Sequence, residues 1–237
     1  MIAVGQPPNG AGRHDLEPWV QRVLETIYRL DGALDVADFR VDGDRLDVLL
    51  GVDRPNTRES LLVQHDADCT WVALFIDDHV RLRAQMFLER VSTRQPTAPV
   101  AGAPVDGLDD FCVTTEGVSH FVYFTFCGHR LNRPVSEVEL EIQAEIDKYL
   151  VLRLVLPIPR GDLVSALYDR VELFPELDAD QRARYREANR LGRRYARWIE
   201  SQIRSGRTAE ALADARRLYR MPLAAKLGHI DSVSVVG

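Results

Sequence analysis

Apolar side chains recur every three to four residues over several long stretches, the period of a helix with one buried face. Such stretches cover residues 16–30 and 80–91, and most of the chain after residue 136. Shorter segments with the composition of strands lie between them. We therefore predict an α+β fold: an N-terminal helix and antiparallel β-hairpins, followed by a C-terminal helical region of four to five helices.

Three β-hairpins are predicted in the first half of the chain. The paired segments are 39–41 with 46–52, 61–64 with 70–76, and 111–115 with 118–126. Asp42-Gly43 in the first is a dipeptide typical of tight hairpin turns. Segment 118–126 in the third is apolar enough to fit a buried helix as well.

Small and proline-rich segments divide the chain. Residues 1–13 are rich in glycine and proline, which predicts a flexible tail. They contain no basic segment followed by an apolar core, so the pattern is not that of a signal peptide. Residues 92–107 have the composition of a mobile loop inside an α+β region, 14–135. The helical region, 136–237, begins with Ser136 and Glu139 at the spacing of a capping box. Apolar faces on both sides of this boundary allow the two regions to share one core.

Composition excludes several functional classes. Three cysteines in 237 residues are too few for a disulfide framework, which predicts a reducing, cytoplasmic setting. The longest apolar run, 149–158, contains Arg153 and Pro157, so we predict a soluble protein without a membrane span. Glycine-rich phosphate-binding motifs do not occur, and no cofactor is predicted.

Charge is distributed unevenly. The net charge is −6, yet residues 178–237 hold 13 of the 30 Lys and Arg residues and only 7 of the 36 Asp and Glu residues. Oppositely charged ends attract each other, within one chain or between two copies. All basic residues except Lys148 and Lys226 are Arg, a bias that a GC-rich genome produces without a functional cause.

The segment 178–204 predicts one long helix with two opposed faces. Its aromatic and aliphatic side chains lie on one side. The arginines of the other side are Arg182, Arg186, Arg190, Arg193, Arg197 and Arg204. A solvated surface, a protein contact or nucleic acid phosphates would each suit this row of arginines. The acidic sequence pI of about 5.6 argues against a dedicated nucleic-acid-binding protein.

The helix that begins near residue 136 offers an acidic counterpart. Glu137, Glu141 and Glu145 share one side, at the same spacing as Arg182, Arg186 and Arg190. The leading hypothesis is therefore a non-enzymatic cytoplasmic interaction protein. Its arginine-rich and glutamate-rich helices would contact a protein partner or form a homo-oligomer.

Two alternatives belong to other classes. The first is a metal-dependent hydrolase, with zinc as the candidate cofactor, because Glu116, His120, Cys127 and His129 are ligand types that zinc accepts. Their spacing matches no established zinc motif. The second is a nucleic-acid-binding accessory protein that uses the arginine face.

Overall fold

The computed structural model describes residues 16–32, 34–51, 57–67, 69–93, 106–156, 163–169 and 177–233. The helices are α1 (Leu16–Tyr28), α2 (Gly43–Leu50), α3 (Asp78–Thr93), α4 (Leu108–His129), α5 (Glu137–Leu154), α6 (Leu163–Tyr168), α7 (Ala179–Arg204), α8 (Thr208–Tyr219) and α9 (Leu223–Ser232). The strands are β1 (Arg40–Val41), β2 (Glu59–His65) and β3 (Thr70–Ile76). The α+β prediction is confirmed, and five of the described helices follow residue 136. None of the described helices combines the length and apolar character of a membrane span.

Periodic segments of the sequence correspond closely to α1, α3 and α8. On α3 the expected inner face is buried: Val80, Ala84, Phe87, Leu88 and Val91. The tail predicted at residues 1–13 lies outside the described residues, as does most of the loop predicted at 92–107.

The first predicted hairpin is wrong. Its second strand is the helix α2, and Asp42 begins that helix because its side chain accepts a hydrogen bond from the backbone N–H of Arg45 at 2.8 Å. Asp-Gly is typical of a tight turn and equally of a helix start, since Asp caps free backbone N–H groups.

The third predicted hairpin is also wrong, because residues 108–129 form the single long helix α4. β-branched and aromatic residues in this segment resemble a strand. Burial explains the difference: α4 packs against α1, α3, α5 and the sheet, so apolar side chains point in several directions rather than along one stripe.

The sheet is small and has mixed pairing, in the order β1-β3-β2. Strand β2 pairs antiparallel with β3, with Leu61 opposite Leu74, and corresponds to the second predicted hairpin. Strand β1 pairs parallel with β3. One end of the sheet lies against the middle of α4, where Gly117 faces Leu74 and Ile76.

Helices α5 and α7 lie side by side and run in the same direction. Glu137 near the start of α5 pairs with Arg184 at 2.6 Å, and Arg153 near its end pairs with Glu200 at 2.7 Å. The helices approach closely at Gly192, where an added Cβ would lie 2.5 Å from Cβ of Glu145. A larger residue there would force the helices apart.

The apolar core is continuous and draws on elements from α1 to α9. It surrounds α4 and α5, which lie at the centre of the fold. This arrangement places the polar side chains of both helices inside the molecule.

Candidate metal centre

Helix α4 presents a column of three reactive side chains. Cys112, Glu116 and His120 are spaced four residues apart, so they project from one side on successive turns. His120 is buried, with 5% of its surface exposed. Glu116 retains 16% exposure of its side chain. The column is therefore held inside the fold.

Helix α5 faces this column with a second set of polar side chains. Glu141, Glu145 and Lys148 lie along one side, and none of their side chains is more than 13% exposed. The ammonium group of Lys148 donates hydrogen bonds to Glu116 at 2.8 Å and to Glu145 at 3.0 Å. Lys148 thus ties the two helices together through their carboxylates.

The sheet supplies a fourth carboxylate, that of Glu59 at the start of β2. Its Oε2 atom would lie 3.0 Å from a Cβ added to Gly117, so the glycine leaves the space in which this carboxylate fits. The preceding residue, Arg58, pairs with Asp109 at 2.6 Å and Asp110 at 2.7 Å at the start of α4. These pairs fix the start of β2 against the helix.

His120 lies between two carboxylates. Its Nδ1 atom is 3.8 Å from Oε2 of Glu59, and its Nε2 atom is 3.6 Å from Oε2 of Glu141. Both distances exceed a hydrogen bond. Nε2 is buried and has no hydrogen-bond partner among the described residues, and the same is true of Oε2 of Glu59. The protonated ring pairs with both carboxylates, whereas the neutral ring offers Nε2 as a ligand for a cation.

Ligand-type atoms of Glu116, His120 and Glu141 lie within 4.8 Å of one another. Two atoms bound to one zinc ion at about 2.0–2.2 Å are roughly 3.3–3.6 Å apart in tetrahedral geometry. The 3.6 Å separation of His120 Nε2 and Glu141 Oε2 meets this spacing. Glu116, His120 and Glu141 are therefore candidate ligands of a single small cation.

Electrostatics support the same location. Burial opposes the charged form of His120, but Glu141 and Glu59 outweigh burial and hold its pKa well above the ordinary value. Burial likewise opposes ionisation of Glu116, but Lys148 and His120 lower its pKa. The neutral imidazole, which is the form that binds a metal, leaves four carboxyl groups of the cluster facing a single ammonium group, that of Lys148.

Tyr185 of α7 is within electrostatic range of the cluster. Burial raises the pKa of its hydroxyl group above the ordinary value, and Glu141, Glu116 and Glu59 add to this effect.

The chain matches no family model, no curated protein and no solved structure. The function of the site therefore has to be inferred from its geometry.

The structure separates the four residues of the predicted zinc site. Glu116 and His120 lie together, but Cys127 comes seven residues after His120, about 10 Å along the helix axis. His129 is exposed and projects from the opposite side of α4. A hairpin would have folded these residues towards one another, whereas one continuous helix spreads them out. Glu141 lies with Glu116 and His120 instead.

The acidic face predicted on α5 is divided by burial. Glu137 remains exposed, whereas Glu141 and Glu145 lie inside the candidate metal centre. Helices α5 and α7 do pack together, but Glu137 pairs with Arg184 rather than with Arg182, Arg186 or Arg190. This arrangement differs from the ladder of pairs expected from the spacing.

Most arginines of the predicted row engage neighbours within the chain. Arg190 pairs with Glu187 at 2.7 Å, Arg193 pairs with Asp169, and Arg204 pairs with Glu200 at 2.8 Å. Arg186 and Arg197 are exposed on the outer side of α7.

A second buried polar network lies on the opposite face of α5 and centres on Asp147, which has no exposed surface. Three groups donate hydrogen bonds to its carboxylate: Tyr28 Oη, Ser119 Oγ and Gln143 Nε2. Lys226 of α9 extends the network, because its ammonium group donates to Tyr123 Oη at 2.9 Å and Gln143 Oε1 at 2.8 Å. Burial raises the pKa of Asp147 to about 6.

Sequence reasoning did not predict Glu59, Lys148 or Lys226 as members of polar clusters. The rarity of lysine was the available sequence signal, since all other basic residues of the chain are Arg. Both lysines, Lys148 and Lys226, are buried among hydrogen-bond acceptors. A lysine ammonium concentrates its charge at one point, whereas a guanidinium spreads it over a plane.

Proposed function

We propose that the protein is a metal-dependent hydrolase in which Glu116, His120 and Glu141 bind one divalent transition-metal ion. The observation that carries this proposal is the buried Nε2 atom of His120, which lies between carboxylates and has no hydrogen-bond partner among the described residues. One imidazole nitrogen and two carboxylates form a ligand set that zinc and neighbouring first-row metals accept.

Glu59 lies on the Nδ1 side of His120, opposite the proposed metal-binding Nε2 atom. At 3.8 Å it is beyond hydrogen-bond distance from Nδ1, so it acts on the ring through its negative charge. A metal ion at Nε2 would displace the proton that Glu59 and Glu141 favour on the ring.

Three protein ligands also support a catalytic rather than a structural ion. Structural zinc sites are filled by four protein side chains, whereas catalytic sites leave a position for water or substrate. Metal-bound water is acidic enough to supply hydroxide near neutral pH. Tyr185 of α7 is within electrostatic range of this centre.

Metal content tests the binding step. The full chain is stripped with chelator, incubated with zinc or manganese, desalted and analysed by inductively coupled plasma mass spectrometry. We expect one ion per chain in the wild type and a loss of more than about tenfold in His120→Ala and Glu141→Gln. His129→Ala on the same helix is the matched control and should retain the ion. A wild type that stays metal-free would overturn the proposal, as would a folded His120→Ala variant that keeps its ion.

Activity tests the hydrolytic step. Chromogenic carboxylate and phosphate esters are the probes, and hydrolysis should disappear with chelator and return with metal. A chain that binds one ion but hydrolyses neither class would contradict the hydrolase assignment while leaving the metal site intact.

The outer face of α7 supports a second proposed function, association with an acidic protein surface or a second copy of the chain. An open groove of about 480 Å³ is lined mainly by Arg190, Arg193, Arg194 and Arg197 together with Asp231. Glu187 pairs with Arg190, and Asp231 lines the groove itself, so both would repel a phosphate backbone, which favours a protein partner over nucleic acid.

Charge reversal tests this surface. Arg190→Glu combined with Arg197→Glu is expected to abolish self-association or partner capture without unfolding the chain, because both side chains line the groove and are exposed. Native mass spectrometry at low ionic strength measures subunit number, and circular dichroism checks the fold. Unchanged mass and unchanged capture would exclude the surface.

A further inference from the structure

The ammonium group of Lys148 occupies a cation position of its own beside the candidate metal centre. It is held by Oε2 of Glu116 at 2.8 Å and Oε1 of Glu145 at 3.0 Å, one carboxylate from each helix. Only 13% of the Lys148 side chain is exposed. Glu116 belongs both to this position and to the set formed with His120 and Glu141. The two positions are therefore adjacent and share a carboxylate.

The carboxylates of Glu116 and Glu145 approach one point from two helices, because both lie within 3.0 Å of the same ammonium nitrogen. Carboxylates are groups that would bind a divalent metal ion if the ammonium were absent. The centre thus has carboxylate donors at two adjacent cation positions.

We propose that Lys148 takes the place of a second divalent cation, so that the centre holds one metal ion rather than two. This inference rests on the metal centre proposed above. Four carboxylates, those of Glu59, Glu116, Glu141 and Glu145, would balance two divalent ions. An ammonium group supplies half the charge of such an ion and three hydrogen-bond donors, and it needs no metal supply.

The choice of residue agrees with this role. Lys148 is one of two lysines in a chain that otherwise uses arginine. A lysine ammonium is a compact point charge that oxygen atoms can surround, as they surround a metal ion. A guanidinium would spread its charge over a plane instead of concentrating it at one point.

The consequence for the reaction is specific. Two-ion hydrolases stabilise the attacking and leaving oxygens with separate metals. Here the second position is filled by a fixed side chain that also holds Glu116 in place. Lys148 is therefore a positioning residue that determines the number of ions and restricts the centre to single-ion chemistry.

Cobalt stoichiometry tests the inference in the full chain. Metal-free wild type and Lys148→Met are titrated with Co²⁺, whose binding is measured by visible absorption and by elemental analysis after desalting. We expect one ion in the wild type and two in Lys148→Met. Lys226→Met removes the other buried ammonium and should still bind one. Adding Glu145→Gln to Lys148→Met removes a ligand of the second position and should return the count to one.

The possible failures are distinguishable. A wild type that binds no cobalt or zinc overturns the proposed function itself. A folded Lys148→Met variant that binds one ion overturns only the role of Lys148. Glu145→Gln in the wild-type background covers the case in which Lys148→Met does not fold: it should keep one ion, since Glu145 pairs with Lys148. Loss of that ion would place Glu145 in the metal site and refute the inference.

Discussion

Replacing Asp147 with alanine is expected to lower the free energy of unfolding by about 3–5 kcal/mol. The substitution leaves the hydroxyl groups of Tyr28 and Ser119 and the amide of Gln143 without their acceptor. Buried donors that lose their partners carry the full cost of desolvation. The nearby ammonium of Lys226 also loses a stabilising negative charge. Urea unfolding at pH 7, monitored by circular dichroism and tryptophan fluorescence, measures the difference.

Asp147→Asn separates charge from hydrogen bonding. Asparagine keeps the shape of the side chain and one carbonyl acceptor, so its destabilisation should be clearly smaller than that of alanine. If Asp147→Ala costs less than about 1 kcal/mol, the network does not hold the fold together.

Stability should rise with pH because of Lys226. Burial lowers the pKa of Lys226 to about 8 from 10.5, against the opposite effects of Glu139 and Asp147. Between these values the unfolded chain binds the proton and the folded chain has released it, so unfolding becomes less favourable as pH increases. We expect this residue to contribute about 1–2 kcal/mol between about pH 7.5 and pH 9.5.

The measurement is a comparison with Lys226→Met. The Cys127 thiol responds to the charge of Lys226, so the difference between the unfolding free energies of the two proteins reports Lys226 together with this coupling. That difference should move in favour of the wild type as pH rises. A difference that is constant with pH would show that Lys226 keeps an ordinary pKa in the folded chain.

Helices with a single apolar stripe could be predicted from the sequence. Helix α4 could not, because its apolar residues are not confined to one side. On α3 the buried residues recur at helical spacing, so the amphipathic pattern is visible in the sequence. Helix α4 buries Phe111, Val118, Phe121 and Tyr123 against different neighbours, which removes the stripe and leaves strand-like composition. At the start of α2, Asp42-Gly43 suits a helix cap and a hairpin turn equally, and only the conformation of residues 45–50 distinguishes the two.

The candidate site could be predicted only in part. Glu116 and His120 were recognised as ligand types, and Glu141 was noted for its spacing on α5. Their meeting depends on the packing of α4 against α5, which the hairpin prediction excluded. No sequence motif marks Glu59 as a site residue, because its position beside His120 depends on the packing of β2 against Gly117.

The network around Asp147 connects parts of the chain that are remote in sequence. Tyr28 is 119 residues from Asp147, and Lys226 is 83 residues from Gln143. Contacts of such long range form late in folding, because closing a large loop costs conformational entropy before the contacts can stabilise the chain. Helices α1 and α9 are thus hydrogen-bonded to α5, and the three helices should fold and unfold as one cooperative unit. Trimming α9 would therefore loosen α1, although the two helices stand near opposite ends of the chain.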